Sequence, residues 1–183
     1  MDCKTTSTKR RSRAGFTLLE LLLASGSGSL LLLAASTFSF YAARSFSALA
    51  NYVDLDKCSR NALDLMSTEI RQTNRLLEYT TNRLTFENAD GGTLSYVYDA
   101  AGRTLQRSLN GVMDTKPLLK ECNFLQFSIF QRNPVGGTYN QYPAASASTC
   151  KLVQLKWICS RDIIDARVNT ESVQSAKIVI RKQ

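Results

Sequence analysis

The hydrophobic and polar positions of this chain fall into three regimes. From Phe16 to Ala43 the residues are apolar or small, and the only formal charge is Glu20. The uncharged run from Leu21 to Ala43 would reach roughly 34 Å as a helix at about 1.5 Å per residue, enough to cross a bilayer core of roughly 30 Å. From Arg44 the pattern turns amphipathic. Leu49, Tyr52, Val53, Asp56, Leu63, Met66, Ile70, Thr73 and Leu77 recur at helical spacing, with Arg60, Asp64, Ser67, Arg71 and Arg75 on the opposite, solvated face. No proline precedes Pro117. One helix from Phe16 to about Leu77 is therefore expected, the alternative being two helices hinged near Ala43-Arg44.

The third regime reads as strands. Arg83–Glu87, Thr93–Tyr98 and Arg103–Leu109 are separated by turns at Ala89-Asp90-Gly91-Gly92 and Ala101-Gly102, which predicts a three-stranded meander. Asn123–Gln131 and Lys151–Cys159 flank a loop rich in Gly, Pro, Ser and Ala from Asn133 to Thr149, and Ala176–Arg181 is the last strand. A helix followed by antiparallel strands gives an α+β fold, with the sheet packed on the second half of the helix.

Charge orients the apolar segment. Residues 1–15 carry Lys4, Lys9, Arg10, Arg11 and Arg13 against one acid, Asp2. A basic leader keeps the N-terminus on the cytoplasmic side, so the strands belong across the membrane. The apolar run exceeds the roughly 7–15 residues of an ordinary secretory signal, and Ala34-Ala35-Ser36 is only a passable cleavage site within it. A plain anchor fits the length but leaves Glu20 unexplained, because a carboxylate near lipid calls for a partner and none is evident within the segment. Ser25-Gly26-Ser27-Gly28-Ser29 interrupts the run with poor helix formers. Close packing of helices through small residues is the slightly favoured reading; a built-in weak point of the helix is the other.

The chemistry on offer is narrow. The 183 residues contain no histidine, which excludes a Ser-His-Asp triad, a Cys-His dyad and His-ligated metal. Gly91-Gly92 and Gly136-Gly137 lack a following Lys-Ser/Thr and read as turns. Asp162, Asp165, Asn169 and Glu171 gather oxygen ligands at spacings that match no defensible calcium loop, so a solvated turn is expected. Without its leader the chain carries 18 Lys+Arg against 14 Asp+Glu. Arg132, Arg181 and Lys182 show no interleaving with aromatic residues, so nucleic acid is not expected as a partner. No cofactor, no metal and no catalytic residue are assigned.

Of five cysteines, Cys3 lies in the leader, and Cys58, Cys122, Cys150 and Cys159 remain in a segment expected outside the cytoplasm. At least one disulfide is expected, with three possible connectivities. Cys122 and Cys159 stand at matching ends of two strands. Matching the apolar faces Leu125/Phe127/Ile129 and Val153/Leu155/Trp157, however, sets Cys159 opposite Asn123, with Cys122 on the other face. A bulge there would restore the pairing.

Arg13-Ala14-Gly15-Phe16-Thr17-Leu18-Leu19-Glu20, followed by the long apolar run, resembles the cleavage and methylation motif of type IV prepilins and type II secretion pseudopilins. The resemblance implies that a prepilin peptidase cuts between Gly15 and Phe16 and that the new Phe16 amine is N-methylated. It also implies that Glu20, fifth in the mature chain, neutralises the amine of a neighbouring subunit during assembly. The layout of long helix, meander with Tyr96-Val97-Tyr98-Asp99-Ala100-Ala101-Gly102-Arg103, and later strands is similar to the J-class minor pseudopilins and the W-type minor pilins. The K class typically lacks the acid that stands here as Glu20. One unit of that Tyr-to-Arg stretch also matches the tyrosine-aspartate repeats of toxin shells, but a single copy reads as a tight hairpin.

The resemblance thus implies a pilin-like α+β fold. Its parts are a cleaved leader over 1–15, a transmembrane and assembly segment over 16–43, an amphipathic helix over 44–80 and an extracytoplasmic β-domain over 81–183. The implied role is that of a non-enzymatic minor subunit of a type II secretion pseudopilus or type IV pilus in the inner membrane. Its implied partners are the prepilin peptidase, other pilin or pseudopilin subunits, the inner-membrane assembly platform and membrane lipid. The alternatives are a minor pilin of DNA uptake and, outside the class, a single-pass membrane-anchored binding domain.

Overall fold

A computed structural model of the chain describes residues 15–132, 141–144, 146–162 and 169–181. The leader through residue 14, most of the loop between Asn133 and Thr149 with Gly136-Gly137, Asp165 and Lys182 lie outside the described residues. The chain divides into two units, Met1–Ala43 and Arg44–Gln183. Helix α1, Leu18–Gln72, contributes to both.

In the first unit no described residue is buried; Gly28 and Ala42 are half-exposed and the rest are exposed. α1 is the one helix among the described residues long and apolar enough to cross a membrane. Its Ser25–Ser29 stretch is regular helix. Six hydroxyls bond back to carbonyls three or four residues earlier: Ser25 to Leu22 (3.1 Å), Ser27 to Leu23 (2.9 Å), Ser29 to Gly26 (2.8 Å), Ser36 to Leu32 (2.7 Å), Thr37 to Ala34 (2.9 Å) and Ser39 to Ala35 (2.8 Å). Back-bonding of this kind satisfies a donor that hydrocarbon could not.

In the second unit, α1 buries Leu55, Ser59, Ala62, Met66 and Ile70, a stripe at spacings of three and four. This corrects the expected face. Leu49, Tyr52 and Val53 are exposed, and Leu63 only flanks the core. The helix also stops earlier than its periodicity implies. Thr73 donates its hydroxyl to the Ile70 carbonyl at 2.7 Å, and the Asn74 N–H turns to the Glu87 carbonyl at 2.8 Å. Side chains that bond local backbone compete with helical continuation. Leu77 accordingly lies in strand β1, Arg75–Tyr79, at a bulge between Leu76 and Glu78.

Nine strands follow among the described residues, in two antiparallel sheets rather than one. The first has the order β1-β2-β3-β4-β5, with β2 Arg83–Glu87, β3 Thr93–Asp99, β4 Thr104–Leu109 and β5 Val112–Met113. The expected meander is thus present at its core, extended by one strand on each edge. β4 and β5 are joined by Asn110-Gly111, both at positive φ (52° and 81°), the conformation that a two-residue type I′ hairpin demands. The Tyr96–Arg103 stretch is indeed a hairpin, closed by the Ala101 N–H on Asp99 Oδ1 at 3.0 Å.

The second sheet has the order β7-β6-β8-β9, with β6 Cys122–Arg132, β7 Gln141–Pro143, β8 Leu152–Asp162 and β9 Asn169–Val179. Its inner face (Leu125, Phe127, Ile129, Val153, Leu155, Trp157 and Ile178) joins the helix stripe and Leu84, Phe86, Leu94, Tyr96 and Leu105 of the first sheet in one core. Hydrogen bonds tie the sheets, among them one from the Tyr79 hydroxyl to the Phe127 carbonyl at 3.1 Å. The Tyr98 hydroxyl donates to the Cys122 carbonyl at 2.9 Å, and Arg103 Nη2 donates to the Ser160 carbonyl at 3.0 Å.

Candidate processing and assembly site

The helix entrance is built by Thr17 and Glu20. Thr17 accepts the first helical bond, from the Leu21 N–H to its carbonyl at 3.1 Å. Its hydroxyl accepts the Glu20 N–H at 3.2 Å, while Glu20 Oε2 accepts the Thr17 N–H at 3.0 Å and the Thr17 hydroxyl at 3.1 Å. This is a capping box, Thr-x-x-Glu, with each side chain satisfying a backbone donor of the other residue. The carboxylate also sits in the first turn, where the helix dipole favours negative charge.

Thr17 therefore corrects the expectation that Glu20 has no partner within its own segment. The signal was present in the sequence as Thr17-Leu18-Leu19-Glu20, ahead of an apolar run. A capped Glu20 is consistent with a plain membrane helix as well as with an assembly residue.

Gly15 and Phe16 precede the helix. No atom beyond its chain neighbours lies within 4 Å of where a Gly15 side chain would begin, and Phe16 is 88% exposed. The bond between them is thus in open, non-helical chain, the form of backbone that a protease cleft can take. Downstream, Leu18, Leu19, Leu21–Leu23, Leu30–Leu33, Phe38 and Phe40 are all exposed, so no described residue of the first unit covers this apolar surface.

Of the four candidate cysteines, all free thiols here, the structure brings Cys122 and Cys159 opposite each other. Cys58 is exposed on α1, and Cys150, buried, precedes β8. Among the described residues no three Cys, Asp or Glu side chains come together to hold a metal ion. Asp162 pairs with Asn169, and Ser160 with Glu171, as ordinary neighbours across β8 and β9.

One charged cluster escaped the sequence reading. Arg107 donates from Nε and Nη2 to Glu69 (2.7 Å at the shortest) and from Nη1 to Asp114 at 3.0 Å, and the Tyr96 hydroxyl donates to Glu69 Oε2 at 2.5 Å. Burial first, then the bond to Glu69, holds the Tyr96 proton well above the usual range, and Glu69 likewise raises Arg107. Glu69, Tyr96 and Arg107 join α1 to β3 and β4, Asp114 holds Arg107 from beyond β5, and the cluster reads as a structural lock. Comparison with known protein families and with curated proteins gives no match.

Proposed function

We propose that this chain is a minor pilin-like subunit of a type II secretion pseudopilus or a related type IV filament, cut between Gly15 and Phe16 and assembled through the first half of α1. The observation that carries this reading is the conjunction at the helix entrance. An unobstructed Gly15-Phe16 bond lies outside the helix, Glu20 stands in the first turn, and an apolar surface that no described residue of the first unit covers follows directly. Burying that surface, first in lipid and then among neighbouring helices, supplies the driving force for assembly. The Arg44–Gln183 unit would be displayed outside the cytoplasm, and its layout is similar to that of the J-class and W-type minor subunits.

The capping box favours a second reading. Because Thr17 already satisfies Glu20, the same helix works as a single-pass anchor for a binding domain. Intact mass and N-terminal sequencing of the protein purified from its own membranes separate the two. The filament reading expects a chain that starts at N-methylated Phe16; a start at Met1, or beyond Ala35, overturns it.

A further inference from the structure

Over most of their length β6 and β8 are in simple register, with Leu125 opposite Trp157, Phe127 opposite Leu155 and Ile129 opposite Val153. Continued to the strand ends, that register would set Asn123 against Cys159 and turn Cys122 to the outer face. It is broken instead at one point. A bulge between Cys122 and Phe124 leaves Asn123 as the extra residue and puts Cys122 directly opposite Cys159. The Asn123 amide is held on the Ser160 hydroxyl, which fixes the bulge in place.

The geometry at the pair suits a covalent bond. The Ser160 N–H donates to the Glu121 carbonyl at 2.9 Å, so the cysteines occupy a position flanked by ladder bonds rather than one that makes them. Side chains approach most closely at such positions, with Cα atoms about 4.5 Å apart, inside the range of about 4.4–6.8 Å that a disulfide accepts. Both residues are buried, at 0% and 1% exposure. The Cys122 thiol donates to the Phe124 carbonyl at 3.3 Å, and the neighbouring Cys159, ahead of burial, pushes the Cys122 thiol up. The other cysteines are placed elsewhere. Leu152, two residues after Cys150, is seven strand steps from Cys159, about 23 Å away, and Cys58 is on the exposed side of α1, next to the buried Ser59.

We propose that Cys122 and Cys159 form a disulfide in the mature protein, stapling β6 to β8, while Cys58 and Cys150 stay reduced. The oxidant is a disulfide, either a low-molecular-weight one or that of a thiol–disulfide oxidoreductase. One cysteine thiolate attacks an oxidant sulfur, giving a mixed disulfide and releasing the first oxidant thiol. The second cysteine thiolate then displaces the other oxidant thiol, so that two protons and two electrons leave the cysteine pair and the oxidant becomes two thiols. Because both sulfurs are buried in the folded chain, the exchange occurs during folding, before the core closes. The pairing follows from register and burial and does not depend on the filament reading.

The test uses the full chain carrying Cys3→Ser. One sample is purified from membranes with N-ethylmaleimide present from lysis. A second is unfolded, reduced, and refolded in detergent with mixed reduced and oxidised glutathione, with recovery followed by the emission of the single tryptophan, Trp157. Both are then digested for peptide mass spectrometry. The expected result is a Cys122–Cys159 linked peptide, with Cys58 and Cys150 alkylated, unchanged by Cys150→Ser. A link in the refolded sample alone overturns the disulfide in the mature protein, leaving only the capacity of the two cysteines to pair. A refolded chain with buried Trp157 and no such link, or with Cys150 or Cys58 in the link, overturns the proposal.

Discussion

The Tyr96 hydroxyl donates to Glu69 Oε2 at 2.5 Å, joining the middle of β3 to the last turns of α1. The bond crosses from helix to sheet at a point where Tyr96 is fully buried. Because burial and the carboxylate both hold the proton on Tyr96 in the folded chain, pH acts in one direction only. Below about pH 10, folded and unfolded chains are both protonated there and the contribution is complete. Above it the unfolded chain releases the proton while the folded chain keeps it, so stability falls as pH rises. Denaturant midpoints read from Trp157 emission between pH 8 and 11.5 should decline above pH 10, and decline less steeply in Tyr96→Phe. Parallel curves for the two proteins would remove Tyr96 from the explanation.

Arg107 is the hub of the same cluster, 16% exposed at its side chain and bonded to Glu69 and Asp114. Removing a half-buried cation strands two carboxylates at once. Arg107→Ala should cost about 2 kcal/mol of stability, below the full value for a dry pair because water still reaches the site. Chemical denaturation checks this. A double-mutant cycle with Glu69→Gln should also show coupling, since the two residues share their bonds.

The capping box makes the two roles of Glu20 separable. Glutamine still offers an oxygen to the Thr17 N–H and completes a capping box, but it carries no charge to meet an amine. If Glu20 pairs with a neighbouring subunit, Glu20→Gln and Glu20→Ala should both impair incorporation into filaments. If Glu20 only closes the helix, Glu20→Gln should assemble like the parent. Counting assembled against membrane-held protein in sheared-filament fractions distinguishes the two.

Every buried apolar side chain among the described residues lies at Leu55 or beyond. The fragment Arg44–Gln183 should therefore fold as a soluble domain, with a denaturant midpoint close to that of the full chain in detergent. A fragment without a cooperative transition would mean that the first 43 residues take part in folding.

What could be read from the sequence, and what could not, follows from the range of each interaction. Arg83–Glu87 and the hairpin around Asp99–Gly102 were legible because alternation and turn residues are local signals. The apolar faces of β6 and β8 even gave their register. The bulge at Asn123 was legible only as a condition for joining Cys122 to Cys159, since nothing local demands an extra residue there. Strand β1 was lost because Leu76 and Leu77 continue the helical spacing, and the helix is stopped by the Thr73 hydroxyl bonding back to Ile70 and by Asn74 turning to Glu87 and Asn88, thirteen and fourteen residues on. Ser59 belongs to the buried stripe because Trp157 Nε1 donates to its hydroxyl at 3.4 Å across the core, a partnership 98 residues away in the chain. Two short-range signals, Thr17 with Glu20 and Asn110-Gly111, were visible in the sequence and went unread.

The back-bonded hydroxyls of α1 have a bearing on how such segments are ranked for insertion. A residue-by-residue transfer scale charges each serine and threonine as though its donor were open to solvent. Between Ser25 and Ser39 six of them have already closed on carbonyls of their own helix. The segment is thus less costly to immerse in hydrocarbon than its letters suggest, and its serine content is no argument against a place in the bilayer.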